Sequence, residues 1–191
     1  LTHFVSRRLG REITPRGSDE LAHAAIHEKV GFVAAKIDAL SYRMDLDIEE
    51  GRGHIISNVA TVRDSFLTRA LDDMRPVYTR KLAMGTRVAV AREGETLAGV
   101  VVPPGQVAIA TICSVTVNGI FLSKGIPVIS RYGGLLEIKD GRPVRFLELI
   151  DYTGTTMDPM EMFIQAQMTR VRECGRSGRG VVGASFREFP S

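Results

Sequence analysis

The stretch that decides the fold is residues 107–137, VAIATICSVTVNGIFLSKGIPVISRYGGLLE, in which two apolar runs flank a group of small polar residues. The first run, 107–112, is rich in β-branched residues and long enough for a strand that is buried on both faces. Residues 123–127 then place a serine, a lysine, a glycine, an apolar residue and a proline in series, which predicts a helix end with Gly125 at the C′ position. A second strand is predicted over residues 128–132. The stretch therefore predicts a strand, a polar loop, a short helix and a strand.

Small polar side chains fill the loop between the first predicted strand and the predicted helix. They are Thr111, Cys113, Ser114, Thr116 and Asn118. A helix that begins just after a buried strand directs its first N–H groups at such a loop, which favours the binding of an anion. Two alternatives remain open from the residues alone. The loop is a capped turn without a ligand, or Asn118-Gly119 is a type I′ turn between two strands.

Length and composition are those of an ordinary globular protein. The chain has 191 residues, 44% hydrophobic and 25% charged, which fits one domain or one domain with an appendage. It has no signal peptide and no apolar run of the ~20 residues that a membrane span needs, so a cytoplasmic location is predicted. A net charge of +3 is too small to favour nucleic acid binding. The chain begins at Leu1 rather than Met, which suggests a piece of a longer protein.

The other segments predict helices and strands around this centre. Thr14 and Pro15 begin a helix that is predicted to run to about Leu40 with a thin apolar stripe. A helix is also predicted from a cap at Asp158 to Gly175. Strands are predicted at 54–62, at 87–91 and 97–102 as one hairpin, at 135–139 and 144–149 as a second hairpin about Asp140-Gly141, and at 181–186. The predicted architecture is α/β: a mixed β-sheet with two or three packed helices, preceded by a long N-terminal linker helix.

Metal binding and catalysis are not predicted. His23 and His27 have the spacing of two ligands on one helix face, but the intervening glutamate of the HExxH pattern is missing and no third ligand is evident. Cys113 would need a base beside it to act as a nucleophile, and none of the four histidines lies in the central stretch. Cys113 and Cys174 are therefore predicted to be free thiols without a catalytic role.

Four blocks of the sequence are similar to a known family. They are ICSVTVNGIFLSKGIPV (112–128), SRYGGLLEIKDGRPVRF (130–146), ELIDYTGTTMDPMEMFI (148–164) and the closing MTRVRE, GRG and ASFREFP segments (168–190). In this order they resemble the ligand-binding domain of the archaeal nitrogen-regulation repressor family, NrpR, from about Glu28 to the end. The resemblance implies repression of nitrogen-assimilation operons through an N-terminal winged helix, with release by 2-oxoglutarate. It implies no enzymatic activity and no cofactor.

The resemblance also implies that two parts of the chain have different roles. Residues 1–40 would be the end of a winged-helix-like segment and the linker helix, and residues 41–191 the effector-binding and oligomerisation domain. DNA would be bound only through a winged helix in cis or on a partner repressor subunit. The chain itself would form a homodimer or a higher homo-oligomer and would not bind a membrane.

The 2-oxoglutarate site implied by the resemblance combines the polar loop with the strand that follows it. Its predicted residues are Thr111, Cys113, Ser114, Thr116, Asn118, Arg131, Gly133 and Gly134. Hydroxyls and an amide would bind the ligand oxygens, and Arg131 or Arg87 would pair with a carboxylate. Two other functions remain as alternatives. One is a small cytoplasmic enzyme that acts on a 2-oxo acid with Cys113 as its nucleophile, and the other is a purely structural dimerisation module.

Overall fold

The computed structural model describes residues 2–6, 10–18 and 31–190. The strands are β1 (Thr2–Ser6), β2 (Gly10–Ile13), β3 (Ser57–Arg63), β4 (Val88–Arg92), β5 (Thr96–Leu97), β6 (Val100–Val101), β7 (Gln106–Ile112), β8 (Ile129–Lys139), β9 (Arg142–Asp151) and β10 (Gly180–Glu188). The helices are α1 (Val33–Arg43), α2 (Leu67–Thr79), α3 (Thr116–Ser123), α4 (Pro159–Gln165) and α5 (Val171–Ser177), with 3₁₀ turns at Asp64–Phe66 and Tyr152–Gly154. The predicted α/β class is confirmed.

The strands of the described part form two three-stranded sheets and two small hairpins. The β7 sheet has the order β3-β7-β4 and the β8 sheet has the order β10-β8-β9, while β1-β2 and β5-β6 are the hairpins. Every pairing among these strands is antiparallel, so the sheets are not mixed in direction. The structure differs from the predicted mixed sheet in this respect because β7 and β8 belong to different sheets. Helix α3 therefore connects the two sheets and does not cross over between parallel neighbours in one.

The deciding stretch folds as a strand, a helix and a strand, as predicted. Residues 107–110 of β7 are each no more than 6% exposed, as expected of a central strand covered on both faces. Helix α3 ends at Gly125, which has φ 74°. The Gly125 N–H donates to the Leu122 carbonyl at 2.9 Å and the Ile126 N–H to the Phe121 carbonyl at 2.9 Å. This is the Schellman arrangement that a C′ glycine provides, and it excludes the hairpin alternative.

The two predicted hairpins have different outcomes. The hairpin about Asp140-Gly141 is confirmed, and both turn residues have positive φ, 52° and 74°. Its first strand, β8, is longer than predicted because it runs on through Gly133 and Gly134. The hairpin of 87–91 with 97–102 is wrong, since β4 pairs with β7 and Leu97 pairs with Val100 in the small β5-β6 hairpin.

The Asp158 cap is confirmed, but the helix that it begins is shorter than predicted. The Asp158 carboxylate accepts a hydrogen bond from the Met160 N–H at 2.8 Å, and Pro159 occupies the first turn. Helix α4 then ends at Gln165, and Gln167 adopts φ 55°, which a right-handed helix does not tolerate. The polypeptide becomes helical again only in α5. Gly175 therefore lies within a helix, and the left-handed cap residue is Gly178, at φ 76°.

Residues 19–30 of the helix predicted over 14–40 lie outside the described residues. Residues 15–18 are helical, whereas residues 31 and 32 are not, since Phe32 has ψ 143°. Helix α1 begins at Val33 and packs Val33 and Ile37 against Tyr152. The domain boundary at residue 40 stays a prediction. No helix within the described ranges is long and apolar enough to cross a membrane.

Candidate functional site

A partly buried group of polar side chains lies between the segment that follows β7 and the β8 sheet. We call it the junction cluster, and its members are Ser114, Asn118, Ser130, Tyr152, Ser185 and Arg187. The first two follow β7, and the others come from β8, from the 3₁₀ turn after β9, and from β10. The cluster thus joins segments that are far apart in the sequence. Its hydrogen bonds span both sheets.

Arg187 is the centre of the junction cluster. Its Nε donates to Asn118 Oδ1 at 2.6 Å and its Nη2 donates to the Ser114 carbonyl at 2.7 Å. A longer bond of 3.3 Å runs from Nη1 to Ser185 Oγ. All three acceptors are neutral, and no carboxylate of the described residues forms an ion pair with Arg187. A guanidinium has five N–H donors, so donors remain for a further acceptor.

The charge of Arg187 is taken out of water without being neutralised. Desolvation lowers the pKa of the guanidinium, while Tyr152 and Cys113 act in the opposite direction. A buried cation that meets only neutral partners is costly, and an anion at its free donors would offset that cost. The geometry therefore favours an anionic ligand.

Asn118 holds Arg187 in place from the first turn of α3. Its side chain is 1% exposed, and its Nδ2 donates to Ser130 Oγ at 2.8 Å. Because the amide nitrogen donates to Ser130 and the amide oxygen accepts from Arg187, both ends of the side chain are fixed. The Ser114 and Ser185 hydroxyls, 3.2 Å apart, provide a second link between the two sheets.

Two acidic groups beside Arg187 stay protonated near neutral pH. The pKa of Tyr152 is raised to about 12: desolvation is the largest cause and Asp158 adds to it, whereas Ser185 and Arg187 oppose the rise. Burial also raises the pKa of the Cys113 thiol, and Asp158 adds to that effect. A thiol with a raised pKa is a poor nucleophile, so the electrostatics do not support catalysis by Cys113.

The N-terminus of α3 does not present the free N–H groups that the sequence predicted. The Thr116 N–H donates to the Cys113 carbonyl and the Val117 N–H to the Ser114 carbonyl, both at 3.1 Å. The Thr116 hydroxyl donates to the Ile56 carbonyl at 3.0 Å and accepts from the Ile56 N–H at 3.2 Å. The Thr116 hydroxyl therefore links α3 to the segment before β3 through hydrogen bonds. The donors that remain for an anion belong to side chains.

The other predicted residues lie on or beside the cluster. Arg131 follows Ser130, the β8 residue that pairs with Arg187, and its buried Nε has no hydrogen-bond partner, with Glu188 Oε1 4.0 Å away. Gly133 packs against Tyr152, since a Cβ there would lie 2.6 Å from the phenolic oxygen. Among the described residues, Thr111 and Gly134 form no side-chain hydrogen bond with the junction cluster. A Cβ on Gly134 would overlap the Glu148 carbonyl oxygen, and Thr111 pairs with Asn58 and Val88.

Two grooves of the described chain lie elsewhere. One of about 330 Å³ lies between α2 and β4, and another of about 330 Å³ lies beside α1 and β3. Their linings are mainly apolar, and neither includes a member of the junction cluster. We place the candidate site at the cluster because it holds the desolvated cation.

Sequence reasoning missed Arg187, Ser185 and Tyr152. The last strand was predicted to end at Phe186, and one more residue would have placed Arg187 on the sheet beside Ser130. No local pattern indicates that Tyr152 is buried. The His23 and His27 pair lies outside the described residues.

Comparison with known proteins identifies the family. Residues 30–191 match the family described as NrpR regulatory domains NRD1 and 2. The chain belongs to this family. The NrpR resemblance is thereby confirmed.

Relatives in three archaea support the assignment. The chain is 34% identical over 183 residues to the global nitrogen regulator NrpRI of Methanosarcina mazei, which covers 95% of the chain and 56% of that protein. It is 36% identical over 162 residues to the global nitrogen regulator NrpR of Methanococcus maripaludis, covering 85% of the chain and 26% of that protein. The crystal structure of a nitrogen repressor-like protein from Methanococcus jannaschii matches with a TM-score of 0.69 and 29% identity, covering 84% of the chain and 64% of that one.

The chain spans about half or less of the length of these curated relatives. These relatives are global nitrogen regulators. The chain is accordingly a regulatory domain.

Proposed function

We propose that this regulatory domain senses 2-oxoglutarate for a transcriptional repressor of nitrogen assimilation, and that the ligand binds at the junction cluster. The observation that carries the proposal is Arg187, a desolvated guanidinium whose hydrogen bonds all go to neutral acceptors. Membership of a family of nitrogen regulators supports the choice of a nitrogen-related effector.

The chemistry of 2-oxoglutarate suits this group of side chains. One carboxylate would take the remaining donors of Arg187, and Arg131 on the neighbouring strand would offer its unbonded Nε to the other. The hydroxyls of Ser114, Ser185 and Tyr152 would surround the keto oxygen. Each charge-assisted hydrogen bond contributes roughly 1.5–3 kcal/mol. Two or three of them cover the roughly 4–8 kcal/mol of a millimolar to micromolar effector before association costs are subtracted.

Effector binding would couple to the arrangement of the domain. Arg187 lies on β10 and bonds to two residues that follow β7, so its hydrogen bonds join the two sheets. A ligand bound to the remaining donors of Arg187 would act on the side chain that makes these bonds, and so on how the two segments are held together. Only such a difference in affinity between two arrangements lets a ligand shift the equilibrium.

The proposal extends to DNA and to assembly. The domain would act on operator DNA through a winged helix in cis or on a partner repressor subunit, and would associate as a homodimer or a higher homo-oligomer. The β1-β2 hairpin followed by a helical turn at residues 15–18 is the arrangement expected where a wing leads into a linker.

Titration calorimetry with 2-oxoglutarate tests the site. Arg187→Gln removes the charge and should lower the affinity by roughly 10- to 150-fold, the equivalent of one charge-assisted bond. Arg179→Gln is the matched control, because Arg179 is an exposed arginine paired with Asp140 and should bind as the unaltered chain does. Equal affinity in the two variants, with normal melting temperatures, would place the site elsewhere. No heat with the unaltered chain would reject 2-oxoglutarate as its ligand.

A further inference from the structure

Helix α1 packs against both sides of the junction cluster. Its buried residues Val33 and Ile37 are one turn apart, so their side chains share one face of the helix. That face packs on Tyr152, which follows β9 on the β8 side, and Val115 packs against the same residues from the segment that follows β7. One helix face therefore contacts the two segments that Arg187 joins.

On the β7 side, the contact is continuous with an acceptor of Arg187. Val115 directly follows Ser114, and the Ser114 carbonyl accepts from Arg187 Nη2 at 2.7 Å. The Val115 carbonyl also accepts from the Asn118 N–H at 2.9 Å, so Val115 is fixed to the first turn of α3. A shift of this segment relative to Arg187 would therefore move Val115 against α1.

On the β8 side, Tyr152 connects α1 to the same arginine. A Cβ on Gly133 would lie 2.6 Å from the Tyr152 hydroxyl oxygen, and Gly133 pairs with Ser185 across β8 and β10. The side chains of such a pair lie on one face of the sheet, which places the Tyr152 hydroxyl beside Ser185. Arg187 Nη1 donates to Ser185 Oγ at 3.3 Å. Tyr152 therefore lies between α1 and the partners of Arg187.

The first turn of α1 has a second attachment to this region. The Val33 N–H donates to the Thr155 carbonyl at 2.9 Å, just after the 3₁₀ turn that contains Tyr152. This bond satisfies one of the N–H groups that a helix start leaves free. Phe32, directly before the helix, is exposed. The chain that precedes α1 thus joins the described domain beside the junction cluster.

We infer that the hydrogen bonds of Arg187 control how firmly the first turn of α1 is docked, so that α1 transmits the state of the junction cluster to the residues before it. A carboxylate at the remaining donors would draw the guanidinium toward itself, because charge-assisted hydrogen bonds are roughly twice as strong as neutral ones. The bonds to the Ser114 carbonyl and the Ser185 hydroxyl would weaken, and α1, which packs on both segments, would loosen. The ligand in this step rests on the proposed function, whereas the dependence of α1 on Arg187 belongs to the chain alone.

Amide hydrogen exchange followed by NMR on the whole chain measures this docking. The reporters are the Val33 and Lys36 N–H groups in the first turn of α1, and the Cys174 N–H in α5 is the reference. Arg187→Gln should lower the protection of the reporters by roughly 10-fold, the low end for one charge-assisted bond, and leave the reference unchanged. Arg179→Gln, at an exposed arginine, is the matched control and should change neither.

Ser185→Ala is a milder second variant. It removes the hydroxyl between Tyr152 and Arg187, and it should lower the protection of the reporters by roughly 3-fold, as expected for a neutral hydrogen bond. Circular dichroism melting shows whether each variant is folded. Unchanged reporters in the folded variants overturn the control of α1 by Arg187. An equal loss of protection at the reporters and the reference also overturns it, because that result is a general loss of stability.

The ligand provides a separate comparison. Saturating 2-oxoglutarate should lower the protection of the α1 reporters in the unaltered chain, and calorimetry on the same samples shows whether it binds. Binding with unchanged or raised protection overturns the inferred role of α1 and leaves the sensing proposal in place. Absence of binding rejects the sensing proposal, while the variants without ligand still decide whether Arg187 controls α1.

Discussion

Asn118 connects the residue that carries the proposed site to the sheet behind it. Asn118→Ala would remove the acceptor of Arg187 Nε and the donor to Ser130 in a position that is 1% exposed. Leaving a buried polar group without a partner costs about 1–3 kcal/mol, so the free energy of unfolding should fall by roughly 2–6 kcal/mol for the two groups. Urea denaturation measures this loss, and calorimetry should show weaker binding of 2-oxoglutarate as well.

Ser123→Ala provides the comparison for Asn118 on the same helix. The Ser123 hydroxyl is exposed and donates to the Ile120 carbonyl, so its removal should change stability little. If Asn118→Ala were as stable as Ser123→Ala and bound the effector equally well, the network about Arg187 would have no role in either property.

Tyr152 makes stability depend on pH in the alkaline range. Its pKa rises from 10.0 to about 12 because the fold desolvates the phenolate. The fold therefore favours the protonated form, and the resulting stability is complete below pH 10 and is lost as the pH rises through the folded-state pKa. The loss amounts to about 2–3 kcal/mol.

Guanidinium unfolding between pH 9 and pH 12, in steps, measures this dependence. Tyr152→Phe should flatten the decline relative to the unaltered chain. Tyr42→Phe, at a residue that is 77% exposed, should not. The two thiols are present in all three proteins, so the difference between variants isolates Tyr152. Parallel curves for all three would contradict the assignment.

At the residue scale the sequence predicted two of the six members of the junction cluster, Ser114 and Asn118. Ser114 and Asn118 stood out because small polar residues followed a buried apolar run. Arg187 lies 69 residues from Asn118 in the chain, and that contact depends on β10 pairing with β8. Local spacing contains no information on such a contact. The prediction that the first N–H groups of α3 are free to bind an anion was wrong for a related reason, since backbone carbonyls accept their hydrogen bonds.

At the scale of the elements, the stability of the C-terminal end of α3 depends on its C′ glycine, Gly125. Gly125 has φ 74°, a conformation that costs an alanine roughly 1 kcal/mol and an asparagine less. Gly125→Ala should therefore lower the free energy of unfolding by about 1 kcal/mol, and Gly125→Asn by less. No atom lies within 4 Å of a Cβ at this position, so the difference would reflect backbone conformation alone. Urea denaturation giving equal values for the two variants would count against this explanation.

Elements that are bounded by a turn, a helix cap or a helix end with strong backbone preferences were predicted correctly. The Asp140-Gly141 hairpin, the Asp158 cap and the Gly125 helix end each use residues whose backbone preferences decide the outcome. The hairpin of 87–91 with 97–102 was wrong because proximity in sequence was taken for pairing. In the structure β4 pairs with β7, which is more distant in the sequence. Strand β7 thereby has a neighbour on each side, β3 and β4.

At the scale of the whole molecule, the division into two sheets could not be predicted from the sequence. The central stretch specifies its own strand, helix and strand, but it does not specify whether the second strand returns beside the first. In the structure it joins a different sheet, and the junction cluster exists only because of that choice.

The proposed function makes its strongest prediction for operator binding. With a net charge of +3, the chain alone should not bind operator DNA tightly, because non-specific affinity scales with the number of phosphate contacts. A repressor that contains this domain and a winged helix, in cis or on a partner subunit, should bind its operator. Saturating 2-oxoglutarate should then lower the affinity by about 5- to 150-fold, the equivalent of a coupling of about 1–3 kcal/mol.

The measurement is an operator titration at fixed salt, with and without 2-oxoglutarate, for repressors that carry Arg187→Gln or Arg179→Gln in this domain. The first should bind its operator but fail to respond to the effector, because the cation that recognises the ligand is gone. The second should respond as the unaltered repressor does, because its arginine contacts Asp140 at the surface. An operator affinity indifferent to 2-oxoglutarate in the unaltered repressor would refute the coupling. A full response in Arg187→Gln would refute the site while leaving the coupling in place.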